Sequence, residues 1–170
     1  FLDSYALARN LGFSNINMDL IAGLPTDTLE SFRTSVDKAI ELNPESITVH
    51  TLTLKRSSNL FGDFEKVKDN PVGKMVSYSQ KALKSAGYRP YYLYRQKNTL
   101  DNLENAGYAK KGYESLYNIF IMEEIQTILA VGAGASTKLV DLSKGDIKRV
   151  HNYKFPYEYI GRFNKLMERK

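Results

Sequence analysis

Asp19 is the side chain with the most chemistry open to it. It interrupts an apolar run, Ile16, Met18, Leu20 and Ile21, and a carboxylate inside a strand needs a partner, a ligand or a strand end. Near the carboxyl end of a parallel strand it would accept hydrogen bonds from ribose hydroxyls. Salt-bridged, it would be a structural aspartate, and the local pattern leaves both readings open. Gly132-x-Gly134 follows a second apolar run. It lacks the third glycine and the βαβ surroundings of a dinucleotide fingerprint, so it reads as a tight turn that lets backbone approach something closely. His50 and His151 stand in no metal-ligand spacing, and His50 reads as a hydrogen-bonded residue of a strand. Glu123 and Glu124 are adjacent and therefore point apart. Tyr88, Tyr91, Tyr92 and Tyr94, with Arg89 and Arg95, match the aromatic and basic strip of single-strand nucleic-acid binders. They match better a half-buried edge strand whose hydroxyls reach water.

The elements that must position Asp19 follow from the residues around it. Gly23 and Pro25 break the strand. Asp27 and Glu30 have the spacing of a helix N-cap and its N3 partner. Leu29, Phe32, Val36 and Ala39/Ile40 then recur at helical spacing, and Asn43-Pro44 ends the helix. The β-branched stretch from Ser46 to Leu54 is a second strand. Strand, helix, strand is a βαβ unit with parallel strands, and in such sheets ligands bind beyond the carboxyl ends. Here those ends are residues 22–26 and 53–59.

The remaining chain reads in the same way. Residues 2–11 form a short helix with Gly12 at its C′ position. Residues 55–59 form a polar loop and 60–69 an irregular stretch. Pro71 opens a helix that Gly87 ends. Pro90 marks residues 88–94 as an edge strand. Residues 95–113 read as a long polar loop, residues 123–131 as a strand, and residues 139–153 as a hairpin turning at Ser143-Lys144-Gly145-Asp146. Pro156 opens a single last helix. Apolar content of 42% and charged content of 25% are those of a globular protein. The net charge of +5 reads as a solvated basic surface and would also suit an anionic ligand. No apolar run approaches the ~20 residues of a membrane span. Cysteine is absent, so the chain offers no disulfide and no thiolate metal ligand. Phe1, in place of methionine, reads as the start of a later part of a longer β/α array.

Several motifs together carry a resemblance. They are Asn17-Met18-Asp19-Leu20-Ile21-Ala22-Gly23-Leu24-Pro25, Thr28-Leu29-Glu30-Ser31-Phe32, Leu42-Asn43-Pro44, Tyr92-x-Tyr94-Arg95-Gln96-Lys97-Asn98, Gly107-Tyr108-Ala109 and Gly132-Ala133-Gly134-Ala135. The combination resembles a divergent branch of the oxygen-independent coproporphyrinogen III oxidase (coproporphyrinogen dehydrogenase) family of radical S-adenosylmethionine (SAM) enzymes. The resemblance implies an α/β fold, the C-terminal half of an open (β/α) radical SAM-type barrel over residues 1–95, with a mixed α+β extension over 96–170. It implies SAM and a 4Fe-4S cluster as cofactors, oxidative decarboxylation of propionates as the reaction, and a cytoplasmic location.

In residue terms, Asp19 matches a family position that contacts SAM, and Thr53 and Ser136 align with two more. Gly134 belongs to the small-residue turn beside Ser136. Lys55, Arg56, Arg95 and Lys97 are the candidates for the propionates of a porphyrinogen substrate or haem, since carboxylates attract cationic donors. Two departures stand out. The three-cysteine cluster motif is missing, so cluster ligation would fall to an N-terminal half of the same chain. Tyr94-Arg95-Gln96-Lys97 replaces the Ser-Asn-Phe-Ala of main-branch members. Related members are haem chaperones, which keeps a binding protein on the same scaffold as the second expectation. RNA binding through the tyrosine strip is a third.

Overall fold

A computed structural model describes residues 1–53, 71–95 and 99–169. The chain folds as two compact units, Phe1–Ser115 and Leu116–Lys170. This division lies after, not at, position 95, because a strand within residues 96–115 completes the first unit's sheet.

In the first unit, α1 (Leu2–Asn10) leads to β1 (Asn17–Ala22), α2 (Leu29–Leu42) and β2 (Ser46–Thr51). Then come α3 (Val72–Ser85), β3 (Arg89–Tyr94), a 3-10 turn (Leu100–Asn102) and β4 (Asn105–Ala109). The sheet order is β1-β2-β4-β3. β1 and β2 are parallel, as the βαβ reading requires, and β4 runs antiparallel to both its neighbours. β3 lies at the edge, where Pro90 interrupts no interior ladder and the register shifts between Pro90 and Tyr92.

α2 and α3 cover one face of the sheet. Phe32, Val36 and Ala39 of α2 and Met75, Val76 and Leu83 of α3 pack on Met18, Ala22, Ile47, Val49, Ala106 and Tyr108. Because side chains alternate along a strand, Asn17, Asp19, Ile21, Thr48, His50, Gly107 and Tyr92 belong to the other face.

Three sequence expectations are corrected here. The long loop over residues 95–113 contains β4, every residue of which is buried. Asn105-Ala-Gly-Tyr-Ala lacks the β-branched residues that advertise a strand, and its pairing with strands far away in sequence supplies what propensity does not. The α2 cap is Thr28, not Asp27. Thr28 Oγ1 accepts from the Ser31 N–H at 3.1 Å and Ser31 Oγ accepts from the Thr28 N–H at 2.9 Å. Asp27 is held in the preceding turn, its N–H on Leu24 O at 3.0 Å. Thr28→Ala should therefore lower stability by about 1 kcal/mol in thermal denaturation, with Asp27→Ala costing less.

The third correction concerns the second unit. Its elements are α4 (Leu116–Glu123), the antiparallel hairpin β5 (Ser136–Asp141) and β6 (Asp146–His151), then α5 (Pro156–Gly161) and α6 (Phe163–Met167). The expected hairpin is present. The expected strand over 123–131 is reduced to one bridge, Ile128 with Lys138, because Glu124 takes a positive φ of 55° and turns the chain. The expected last helix is split at Arg162.

Among the described residues, no helix is long and apolar enough to cross a membrane. Residues 54–70, 96–98 and 170 lie outside the described residues. The polar loop at 55–59 and the substrate candidates Lys55, Arg56 and Lys97 fall there.

Candidate functional site

The sheet face opposite the helices carries a polar row across four strands. Asp19 pairs with Thr48, Thr48 with Gly107, and Gly107 with Tyr92. Asp19 is the third residue of the six in β1, so it sits mid-strand, not at the carboxyl end that the sequence suggested. Its side chain is 60% exposed. Asn17 Nδ2 donates to Asp19 Oδ1 at 2.7 Å, and His50 Nε2 stands 3.7 Å from the same oxygen. Oδ2 has no hydrogen-bond partner among the described residues. A carboxylate with one oxygen engaged and the other open can accept a hydroxyl proton from a ligand.

Behind Asp19 the row is buried. Thr48 is 2% exposed and its Oγ1 donates to Asn17 Oδ1 at 3.2 Å. Burial raises the Tyr92 phenol's pKa above its ordinary value, and the neighbouring Thr48 hydroxyl opposes the rise. The ring of Tyr92 lies across Gly107, where an added Cβ would come within 1.9 Å of a ring carbon. Glycine is required there by close approach.

Thr53 follows β2 and bridges Thr99, while Leu52 N–H bonds Ala22 O at 2.9 Å and Leu100 N–H bonds Leu52 O at 3.2 Å. The carboxyl ends of both parallel strands are thus tied to the start of the 3-10 turn. Gly23 completes that junction. It has a φ of 94°, and a Cβ there would meet Leu100 at 2.9 Å.

Of the other expected site residues, Arg95 lies in the first unit, and Gly134 and Ser136 in the second. Arg95 is 64% exposed, pairs with Glu104 at 3.3 Å and lines a cleft with Val76, Gln80, Leu93 and Ala106. Ala106 packs with the helix-covered face, so Arg95 and Asp19 do not share a surface. Gly134 has a φ of 74° and donates its N–H to Tyr153 O at 2.8 Å. Ser136 opens β5 opposite His151 and is exposed. No helix follows Gly132-x-Gly134; a strand does, which rules out a Rossmann turn and leaves the tight-turn reading. There Asn152 Nδ2 donates to Gly132 O at 2.7 Å.

A search of known proteins supplies the context. No protein-family model matches the chain. The oxygen-independent coproporphyrinogen-III oxidase-like protein HemZ of Bacillus subtilis (strain 168) is 46% identical over 99% of the chain, covering 34% of HemZ. Nearly the whole chain is thus similar to one part of an oxygen-independent coproporphyrinogen-III oxidase-like protein. The heme chaperone HemW of Haemophilus influenzae is 30% identical over 91% of the chain and 37% of HemW. Among solved structures, the coproporphyrinogen III oxidase HemN of Escherichia coli, described as a radical SAM enzyme, matches with a TM-score of 0.60 and 22% identity. That match covers 95% of the chain and 37% of HemN, and at that identity it bears on the fold. The chain spans about a third of the length of these relatives.

Sequence reasoning singled out Asp19 but not Asn17, Thr48 and Tyr92, which share its sheet face. Asn17 was legible as a polar residue two positions away on the same strand face. Nothing local pointed to Thr48 or Tyr92, which reach Asp19 only through strand pairing.

Proposed function

We propose that this chain is the C-terminal half of an open β/α barrel in a longer radical SAM protein, and that it holds the ribose end of SAM. The observation that carries this is the exposed Asp19 carboxylate with Oδ2 open on the polar face of a parallel strand pair. A ribose offers hydroxyl donors to such an acceptor, so the residues present fit this part of SAM. When bound together, SAM and a reduced 4Fe-4S cluster supply a radical that abstracts hydrogen. The chain contains no cysteine and no group of His, Asp and Glu fit to hold a metal among its described residues. It therefore fits no cluster of its own, and cluster ligation falls to residues elsewhere in the protein.

The reaction we assign to the whole protein is dehydrogenation of coproporphyrinogen III, the oxidative decarboxylation of two propionates to vinyl groups, in the cytoplasm. The role of this chain's residues is to orient the cofactor and shield it from water. Thr53, at the end of β2, is proposed as a further cofactor contact. Lys55, Arg56 and Lys97 are proposed to receive substrate carboxylates, while Arg95, which shares no surface with Asp19, is set aside. The 30% identity to HemW favours, as the second reading, a haem carrier on the same scaffold.

Anaerobic assay of the complete, cluster-reconstituted protein separates the two. Conversion of coproporphyrinogen III supports the first; retention of haem without turnover supports the second. In either case Asp19→Ala should weaken SAM binding by about 10- to 100-fold, the worth of hydrogen bonds to a charged acceptor. Unchanged SAM affinity in that variant would refute the assignment of the site.

A further inference from the structure

We infer that Asn17, seated by the buried Thr48, positions the Asp19 carboxylate for its ligand, so that Asn17 and Thr48 are positioning residues of the site. This rests on the proposed SAM reading of Asp19. Thr48 Oγ1 has one proton and gives it to Asn17 Oδ1. That contact fixes which end of the Asn17 amide faces away, and Nδ2 is left to donate to Asp19 Oδ1. Among the described residues the carboxylate is thereby held by one oxygen only. Thr48 is itself 2% exposed and pairs with Gly107, over which the Tyr92 ring lies. The orientation of an exposed side chain on β1 is thus set by a buried hydroxyl on β2.

The physical consequence is preorganisation. An exposed aspartate samples several rotamers, and a ligand must immobilise it on binding. Here the restriction exists before the ligand arrives. Asn17 also lies on the sheet face that a ligand of Asp19 would approach, yet its amide oxygen and one amide proton are already committed to protein partners.

The test is a double-mutant cycle on SAM affinity in the complete, reconstituted protein. Asn17→Ala should weaken binding by about 5- to 10-fold. In the Asp19→Ala background the same substitution should have no effect, because nothing remains to be positioned. Thr48→Val should reproduce the Asn17→Ala loss and Thr48→Ser should restore it. The Asn17→Ala loss should also vanish for 5′-methylthioadenosine lacking both ribose hydroxyls, while persisting for the parent nucleoside. Asn17 is exposed, so its variant keeps the fold, and the Asn17–Asp19 cycle stands even if Thr48→Val does not fold. If Asn17→Ala and Asp19→Ala each weaken binding and their effects add, the positioning role is overturned while the SAM site stands. Should Asp19→Ala have no effect, it is the SAM reading that fails.

Discussion

Replacing Glu45 with alanine is expected to lower the unfolding free energy by about 3 kcal/mol, the low end of what breaking a buried ion pair costs. Glu45 Oε2 accepts from Arg9 Nη1 at 2.9 Å and from the Ile16 N–H at 2.9 Å, and Oε1 accepts from Arg9 Nη2 at 3.0 Å. The carboxylate side chain is 12% exposed and the guanidinium 28%. Arg9 also bonds the Tyr5 hydroxyl at 2.8 Å, and Tyr5 donates to Leu42 O at 2.7 Å. One carboxylate therefore ties α1 and the entry to β1 onto the start of β2. Its loss strands a partly buried arginine and a strand N–H together. Arg9→Ala should cost less, because Glu45 keeps the Ile16 bond. Urea denaturation reads both, and a loss below about 0.5 kcal/mol for Glu45→Ala would show that water replaces the pair, as at surface ion pairs.

The same carboxylate makes stability depend on pH. Burial pushes the Glu45 carboxyl up, but the hydrogen bonds from Arg9 and the Ile16 N–H outweigh it and hold the group below its ordinary value of 4.5. Between the folded and unfolded values the unfolded chain binds more protons, so stability rises with pH there. The contribution is complete above about pH 4.5 and is lost as pH falls through the lower folded value. Glu45→Gln should flatten this part of the acid limb in denaturation curves taken across that range.

Gly107→Ala should cost about 2–3 kcal/mol, within the range for overpacking a tight interior. The new Cβ would lie 1.9 Å and 2.4 Å from two carbons of the Tyr92 ring. The β4 backbone is paired on both sides and cannot retreat, so the ring must move. Moving it uncovers Thr48, which is 2% exposed. Tyr92→Ala removes the obstacle. Gly107→Ala should then be nearly neutral in the Tyr92→Ala background, a non-additivity that denaturation of the four proteins would reveal. Equal costs in both backgrounds would mean that the clash is relieved by the main chain instead.

Much of the scaffold was legible before any coordinates. The Asp19 strand, the α2 stripe of Phe32, Val36 and Ala39, the stop at Asn43-Pro44 and the next strand form a local pattern, and local patterns are what a sequence displays directly. Asn43 indeed takes the left-handed conformation, with a φ of 56°, that lets the chain leave the helix. The edge position of β3 followed from Pro90, and the hairpin from Ser143-Lys144-Gly145-Asp146. Thr28 was missed as the cap because Asp27 and Thr28 are both able to cap, and only the turn at Leu24–Asp27 decides between them.

By itself the sequence determined a βαβ unit with a carboxylate set among apolar strand residues, on a chain without cysteine. Only the tertiary structure decided which groups hold that carboxylate. β4 inserts between β2 and β3, although its small residues carry no strand signal, and this brings Tyr92 over Gly107 and onto Thr48. The physical reason is that cross-strand neighbours are set by register, and the register of β4 is fixed by burial on both faces and by pairing with strands distant in the chain.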